Sequence, residues 1–133
     1  LKIISITVGE PLMWYLSYLT KKLHEKGARI HIETSGAYPL SGEIDWVCLS
    51  PKKMMLPLDD VCAAAHELKC IIFNNHDFEF AEEQAARVGK DCTLFLQTEW
   101  SKRDKNLPLI IDYVKENPKW RYSLQTHKYL DIP

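Results

Sequence analysis

The sequence lacks any long hydrophobic run and any marked excess of charge. No apolar segment approaches the roughly 20 residues that a membrane-spanning helix needs, and 17 basic against 18 acidic side chains give a net charge of -1. The first six residues, Leu1-Lys2-Ile3-Ile4-Ser5-Ile6, have neither the charged lead nor the small-residue cleavage site of a secretory signal. We therefore expect no membrane partner, no nucleic-acid partner and a cytoplasmic location.

Cysteine spacing typical of a metal site is also absent. The four cysteines, at positions 48, 62, 70 and 92, include no pair with the close spacing of a zinc or iron–sulfur motif. Three of them lie in apolar runs such as Lys69-Cys70-Ile71-Ile72, where cysteine behaves as a small buried hydrophobe. We interpret them as reduced structural thiols and assign no metal ligand in this chain.

A regular alternation of strand-like and helix-like segments fills the 133 residues, a length suited to a single domain at 1–133. Periodicity and capping residues predict helices at about residues 11–27, 59–68, 77–88 and 104–117. Strands are predicted at residues 1–6, 28–33, 45–49, 70–73, 92–96 and 120–124. Strands separated by helix-length segments indicate an α/β fold with a mainly parallel sheet and crossover helices.

The residues after each predicted strand should line one site, because ligands bind at the carboxyl ends of parallel strands. These segments are polar and rich in glycine and proline: residues 7–11, 34–36, 50–52, 74–76, 97–100 and 125–133. The opposite strand ends, such as Gly27-Ala28, carry blander residues. This asymmetry supports a site at the carboxyl edge.

Each polar segment also has a plain structural interpretation. Gly9-Glu10-Pro11 either lets a ligand approach the backbone or forms an ordinary strand–helix turn. Ser50-Pro51-Lys52-Lys53 offers amines to a carboxylate or is a solvated loop. Gln97-Thr98-Glu99-Trp100 suits a nucleoside or is a polar loop whose tryptophan covers the core. His127, in the segment 125–133, is an acid/base or ligand candidate or a structural histidine.

Taken in chain order, these segments are similar to a known family. Ile6-Thr7-Val8-Gly9-Glu10-Pro11-Leu12 resembles the Ile-Thr-Gly-Gly-Glu-Pro-Leu motif of radical S-adenosylmethionine (SAM) enzymes. The other motifs resemble 7-carboxy-7-deazaguanine synthases in particular: His31-Ile32-Glu33-Thr34-Ser35-Gly36, Cys48-Leu49-Ser50-Pro51-Lys52, Leu96-Gln97-Thr98-Glu99-Trp100 and the terminal Gln-Thr-His-Lys-Tyr-Leu-x-Ile-Pro. The resemblance covers nearly the whole chain, and the ordered combination of motifs makes it specific.

The resemblance implies a partial (β/α) barrel of the radical SAM type. It implies a lyase of queuosine biosynthesis that converts 6-carboxy-5,6,7,8-tetrahydropterin to 7-carboxy-7-deazaguanine, with contraction of a ring and loss of ammonia. The implied cofactors are SAM, a 4Fe-4S cluster and magnesium. The implied partners are the small-molecule pterin substrate, an external electron donor and a second copy in a homodimer.

The resemblance also implies roles for individual residues. SAM would be bound by residues at the ends of the first, third and fifth strands: Gly9, Glu10, Ser50, Pro51, Lys52, Gln97, Thr98, Glu99 and Trp100. Thr34 and Ser35 would lie near the ribose. The substrate would be bound by Thr7, by His127 and by the terminal carboxylate of Pro133, which makes residues 125–133 a substrate-reaching C-terminal tail. No catalytic residue is assigned within this chain.

Two departures from the family pattern affect this interpretation. Val8 stands where the family has its first glycine, and a β-branched residue is poorly suited to a positive φ. The cysteine triplet that holds the cluster is absent, so we expect the chain to be a C-terminal portion without the N-terminal strand–helix unit. The alternatives are another small radical SAM enzyme such as an activase, or a non-catalytic SAM- or nucleotide-binding module that lost its cluster.

Overall fold

Strands and helices alternate along the chain in the computed structural model, which describes residues 2–7 and 9–131, with only the backbone at 126 and 127. The strands are β1 (Lys2–Ile6), β2 (Ala28–Thr34), β3 (Trp46–Leu49), β4 (Glu67–Ile72), β5 (Thr93–Thr98) and β6 (Trp120–Tyr122). The helices are α1 (Ser17–Glu25), α2 (Asp59–Ala64), α3 (His76–Ala85), α4 (Arg103–Glu116) and α5 (Thr126–Tyr129), and 3₁₀ turns span Pro11–Met13 and Trp100–Lys102.

The six strands form one sheet in the order β1-β2-β3-β4-β5-β6, and every neighbouring pair is parallel. Each strand therefore pairs with the next strand in the chain, and each connection crosses over through a helical segment, as parallel pairing requires. The predicted α/β fold with a mainly parallel sheet is confirmed. Within the described residues, β1 and β6 do not pair with each other, so the sheet stays open as in a partial barrel.

The two faces of the sheet differ in chemistry because side chains alternate along each strand. One face carries apolar residues such as Ile32, Leu49 and Ile72, which pack with Val61 of α2 and Ile110 of α4 in the core. The opposite, concave face carries polar and charged residues: Ser5, His31, Glu33, Glu67 and Lys69. The helices therefore cover only one face, and the polar face remains accessible.

The predicted helix over residues 11–27 is wrong in its first half. A 3₁₀ turn spans Pro11–Met13, Trp14 is extended, and α1 begins only at Ser17. The hydroxyl of Ser41 accepts a hydrogen bond from the Leu16 amide at 2.9 Å and donates to the Trp14 carbonyl at 3.2 Å. A side chain distant in sequence thus takes the backbone groups that a continuous helix would use.

The start of β4 and the form of the C-terminal segment also differ from expectation. Helix α2 ends at Ala64, and β4 already begins at Glu67, where helix was predicted up to residue 68. Leu68, Cys70 and Ile72 alternate into the core, and this period of two is the signal that the helix assignment overlooked. Near the C-terminus, α5 forms one short helical turn where no helix was predicted.

Glu82 of α3 connects three elements near the end of the chain. Its carboxylate accepts hydrogen bonds from the Tyr113 hydroxyl at 2.6 Å, the Lys119 amine at 2.6 Å and the Trp120 indole at 2.7 Å. Trp120 is 1% exposed. These bonds hold α4 and β6 against α3, and so they fix the point from which residues 123–131 continue.

The four cysteines are free thiols, and Cys48, Cys62 and Cys70 are buried. Burial raises the pKa of Cys70 to about 12 and that of Cys92 to about 11, so both thiols stay protonated and unreactive near neutral pH. Their interpretation as structural thiols is confirmed. Among the described helices, none combines the length and the apolar character needed to cross a membrane.

The close approach at Gly36 leads to a stability prediction. Gly36 has a φ of +77°, and an added Cβ would lie 2.5 Å from Leu49 Cδ1 and 2.7 Å from Pro57 Cβ. Overpacking together with a positive φ should make Gly36→Ala about 3 kcal/mol less stable in urea unfolding of the full-length protein. Gly89→Ala is the matched control, because its φ is not positive and its Cβ would meet nothing within 4 Å. Equal stability of the two variants would contradict this packing.

Candidate functional site

The residues that follow β1, β2, β3 and β5 lie along one edge of the sheet and line two adjoining cavities. The β1–β3 cavity, of about 130 Å³, includes Thr7, Gly9 and Glu10 in its wall. The β3–β5 cavity, of about 220 Å³, includes Gln97, Thr98, Glu99 and Trp100. Three residues line both cavities: Glu33, Ser50 and Lys52. These four strand ends lie where the prediction put them, but the prediction is wrong for residues 74–76 after β4, which line a separate cavity beside α4. The Asp77 carboxylate and the Asn106 amide bind the backbone of that loop and hold it there.

Pro51 differs from the other predicted SAM residues, because it is buried and lines neither cavity. The side chain of His127 and the whole of Pro133 lie outside the described residues, as does Val8. The structure therefore brings Thr7 together with the predicted SAM residues other than Pro51.

The Glu10 carboxylate is bound entirely by the protein's own donors. One oxygen accepts hydrogen bonds from the Thr34 hydroxyl and from the Leu12 amide at 3.1 Å. The other accepts from the Ser35 amide at 2.8 Å and from the Ser35 hydroxyl at 2.6 Å. Glu10 thereby caps the 3₁₀ turn after β1 and joins it to the end of β2, so Thr34 and Ser35 serve this carboxylate.

The pKa of Glu10 reflects the same contacts. Burial alone would raise the pKa, but the hydrogen bonds from Ser35, Thr34 and Leu12 outweigh it, so the pKa lies below its usual value. Gly9, just before this carboxylate, has a φ of +65°, and an added Cβ would meet nothing within 4 Å. The backbone at Gly9 therefore borders open space beside a fixed negative charge.

The adjacent lysines after β3 have different surroundings. The Lys53 amine forms an ion pair with Asp77 and lies 5.6 Å from the centre of the Phe80 ring. Asp77 also accepts hydrogen bonds from the Phe73 amide at 2.7 Å and the Asn74 amide at 2.9 Å. Lys52 instead lines both rim cavities. Lys53 is thus a structural cation, while Lys52 faces the site.

The end of β5 supplies two buried polar side chains and a capped turn. Gln97 is 3% exposed and accepts a hydrogen bond from the Ser123 hydroxyl at 3.3 Å, and Thr98 is 4% exposed. The carboxylate of Glu99 accepts hydrogen bonds from the amide and the hydroxyl of Ser101. These bonds fix the loop that forms the far wall of the β3–β5 cavity.

Sequence reasoning missed the ion pair between Glu33 and Lys69. The Lys69 amine lies 2.6 Å from a Glu33 carboxylate oxygen, and the Lys69 side chain is only 18% exposed. Both residues also line a third cavity, of about 210 Å³, on the concave face below the rim. The sequence did contain a signal for this pair. Charged residues alternate with apolar ones in β2 and β4, which places Glu33 and Lys69 on the polar face.

Relatives of known activity match the chain along almost its whole length. It is 60% identical over 99% of its length to the 7-carboxy-7-deazaguanine synthase of Flavobacterium psychrophilum, and 47% identical over 96% to that of Synechocystis sp.. The synthase of Prochlorococcus marinus is 36% identical over 98% of this chain and 68% of that protein. The chain belongs to the 7-carboxy-7-deazaguanine synthase family. No protein-family model matches it.

A solved structure of this family has the same fold. The crystal structure of QueE from Escherichia coli superposes with a TM-score of 0.83 at 30% identity, over 93% of this chain and 57% of that chain. The chain spans 63% and 61% of the lengths of the Flavobacterium psychrophilum and Synechocystis synthases. The chain therefore corresponds to less than two thirds of the length of these two synthases.

The donors and acceptors around the β3–β5 cavity fit a nitrogen-rich ligand. The side-chain oxygen of Gln125 is buried and has no hydrogen-bond partner within the described part of the chain. Such a group is costly unless a donor reaches it. Gln125 lines this cavity together with Lys52 and Gln97, so a ligand with both N–H groups and a carboxylate would find a partner for each. SAM has both groups.

The bonds to Glu10 predict a pH-dependent stability difference in this synthase-family chain. Glu10→Gln replaces an oxygen that accepts from Thr34 or Ser35 by an amide donor and should cost about 2 kcal/mol at neutral pH. Because the native pKa is lowered, the wild-type advantage is present above about pH 4.5 and is lost as pH falls through the native pKa. Urea unfolding across pH measures it. Glu25→Gln, at an exposed i,i+3 pair, is the control with little expected change. A Glu10→Gln deficit that persists unchanged below pH 3 would contradict the assignment.

Proposed function

We propose that the full-length protein that contains this chain is a radical SAM lyase. It forms 7-carboxy-7-deazaguanine, the product in the names of its relatives, from 6-carboxy-5,6,7,8-tetrahydropterin with loss of ammonia. The observation that carries the proposal is the pair of adjoining rim cavities with a common wall at Glu33, Ser50 and Lys52. Two ligands held there would be in contact, as a cofactor and its substrate must be.

The SAM residues in this proposal come from three strand ends. Gly9 leaves room for the amino-acid end of SAM. Glu10 fixes the turn next to Gly9 and holds its own negative carboxylate in place. Ser50 and Lys52 contribute a hydroxyl and an amine, and the amine can bind a carboxylate as a point charge. Pro51 fixes the backbone φ between them. The β5 segment Gln97-Thr98-Glu99-Trp100 borders the nucleoside side.

The substrate residues in this proposal lie toward the concave face. Thr7 and Glu33 line both the β1–β3 cavity and the concave cavity below it, so a pterin held there would lie beside SAM. Lys69 keeps the Glu33 carboxylate in place by its 2.6 Å ion pair. His127 and Pro133 complete the proposed substrate contacts from the C-terminal tail, residues 125–133. Bound SAM, cleaved reductively at a 4Fe-4S cluster, would supply the radical chemistry.

The remaining cofactors and partners belong to the whole protein. We assign the 4Fe-4S cluster and magnesium to the part of the relatives' length that this chain does not span. Among the described residues, no group of at least three His, Cys, Asp or Glu side chains is arranged to hold a metal ion. An external electron donor, a homodimer and a cytoplasmic location remain part of the same proposal. Recognition by motif and similarity over the whole chain both favour a synthase over an activase.

The two adjacent lysines provide a matched test of the cofactor site. Lys52→Met in the full-length protein should weaken SAM binding about ten-fold or more in equilibrium dialysis, because a charge-assisted contact is lost, with stability unchanged. Lys53→Met should leave SAM affinity unchanged and lower the unfolding free energy by about 1–2 kcal/mol, because buried Asp77 loses its cation. If Lys53→Met weakens SAM binding and Lys52→Met does not, the site assignment is wrong.

Removal of residues 132 and 133 tests the proposed substrate-reaching tail. The truncated full-length protein should show a large loss of turnover or a raised KM for the pterin, since the proposed contact of Pro133 with the pterin N–H groups is lost. SAM affinity should stay at the wild-type value, which separates the tail from the cofactor site. Unchanged substrate kinetics in this variant would refute the role of the tail.

A further inference from the structure

Trp100 touches the cofactor side of the proposed site and the C-terminal helix at once. It opens the 3₁₀ turn after β5 and lines the β3–β5 cavity. The Arg103 guanidinium lies 4.1 Å from the centre of its ring, and an Arg103 nitrogen donates a hydrogen bond to the Trp100 carbonyl at 2.9 Å. One side of the indole is thus fixed by a neighbour on α4.

Helix α5 packs against the same indole. The Tyr129 ring meets the Trp100 ring edge-on, with centroids 4.9 Å apart and planes at 82°. The Lys128 amine lies 5.6 Å from the Trp100 ring centre. Both contacts have favourable geometry, the first between two ring quadrupoles and the second between a cation and a ring.

The helix needs such contacts because it is too short to be stable alone. It has four residues, and helices below about 12 residues are marginal in water without tertiary packing. Tyr129 is 49% exposed and Leu130 is 63% exposed, so neither is buried in the core. The Trp100 ring is therefore a principal surface against which α5 is held.

We propose that Trp100 is a positioning residue for the C-terminal tail, holding α5 against the rim so that residues beyond it reach the substrate. Trp100, Gln125 and Lys128 line one cavity, which means that the start of the tail and α5 form part of its wall. The SAM pocket and the substrate-reaching tail thus share one side chain. The substrate part of this proposal rests on the proposed function, whereas the anchoring part does not.

Limited proteolysis of the full-length protein tests the anchoring without any turnover. Trypsin cleaves after Lys128, and this bond should be cut about ten-fold faster in Trp100→Leu and in Tyr129→Leu than in wild type. Trp100→Phe, which keeps an aromatic ring, and Tyr129→Phe, which loses only the hydroxyl, should stay near wild type. Tyr15→Leu is the control, since Tyr15 is 83% exposed and far from α5 in sequence. The double variant should be no faster than either single one.

Kinetics with the reconstituted full-length enzyme test the link to the substrate. Tyr129→Leu should raise the KM for the pterin about ten-fold and leave the KM for SAM unchanged, because Tyr129 is not in the cavity wall. Wild-type cleavage rates in both leucine variants, or a changed KM for SAM alone, would overturn the proposal. If trypsin cleaves the variants and the wild type at the expected rates but the wild type turns over no pterin, the proposed function fails while the anchoring by Trp100 stands.

Discussion

Parallel pairing of the strands in chain order is the constraint on which the site depends. Because all six strands point the same way, every strand–helix connection leaves the sheet at one edge, and polar residues from distant parts of the chain meet there. The same pairing puts alternate residues of each strand on the concave face. Glu33 and Lys69, on strands separated by β3, can therefore meet below the rim only in this arrangement. The cavities and the ion pair are consequences of one topology.

Charged groups at the rim divide into those satisfied by the protein and those facing the cavities. Glu10, Asp77 and Glu99 each bind backbone amides of a strand-end loop, so each fixes the shape of a wall. Their charges are already satisfied, and this makes them poor direct ligands but good supports for a preorganised site. Lys52 and the Gln125 amide have no such internal partner among the bonds the structure describes, and they are the groups that a ligand can use.

The sequence predicted the rim better than the details of its side chains. A strand-end rule needs only the order of elements, and it located Thr7, Gly9, Ser50 and Gln97 on one edge. It could not separate Lys52 from Lys53, because the distinction depends on Asp77, which lies on α3. The break before α1 depends on Ser41, 25 residues from Leu16. The rule covers only residues that follow a strand, so it omitted Glu33. That residue lies within β2 and lines the site because alternate side chains of a strand point to the same face.

The two ends of the sheet respond differently to a rise in pH. At the rim, burial would raise the pKa of Asp77, but Lys53 and two backbone amides lower it, and hydrogen bonds from Ser101 lower the pKa of Glu99. Their contributions to stability are present above the usual carboxyl range and are lost as pH falls through the lowered values. At the opposite end, the Asp45 carboxylate, 2.7 Å from His24, raises the pKa of that imidazole. That contribution is lost as pH rises through the raised pKa of His24, and it is also lost as pH falls through the pKa of Asp45, which His24 and the Ile30 amide lower. Acid therefore weakens the walls of the rim cavities and the His24–Asp45 pair alike, whereas a rise in pH through the His24 pKa weakens that pair and leaves the rim carboxylates charged.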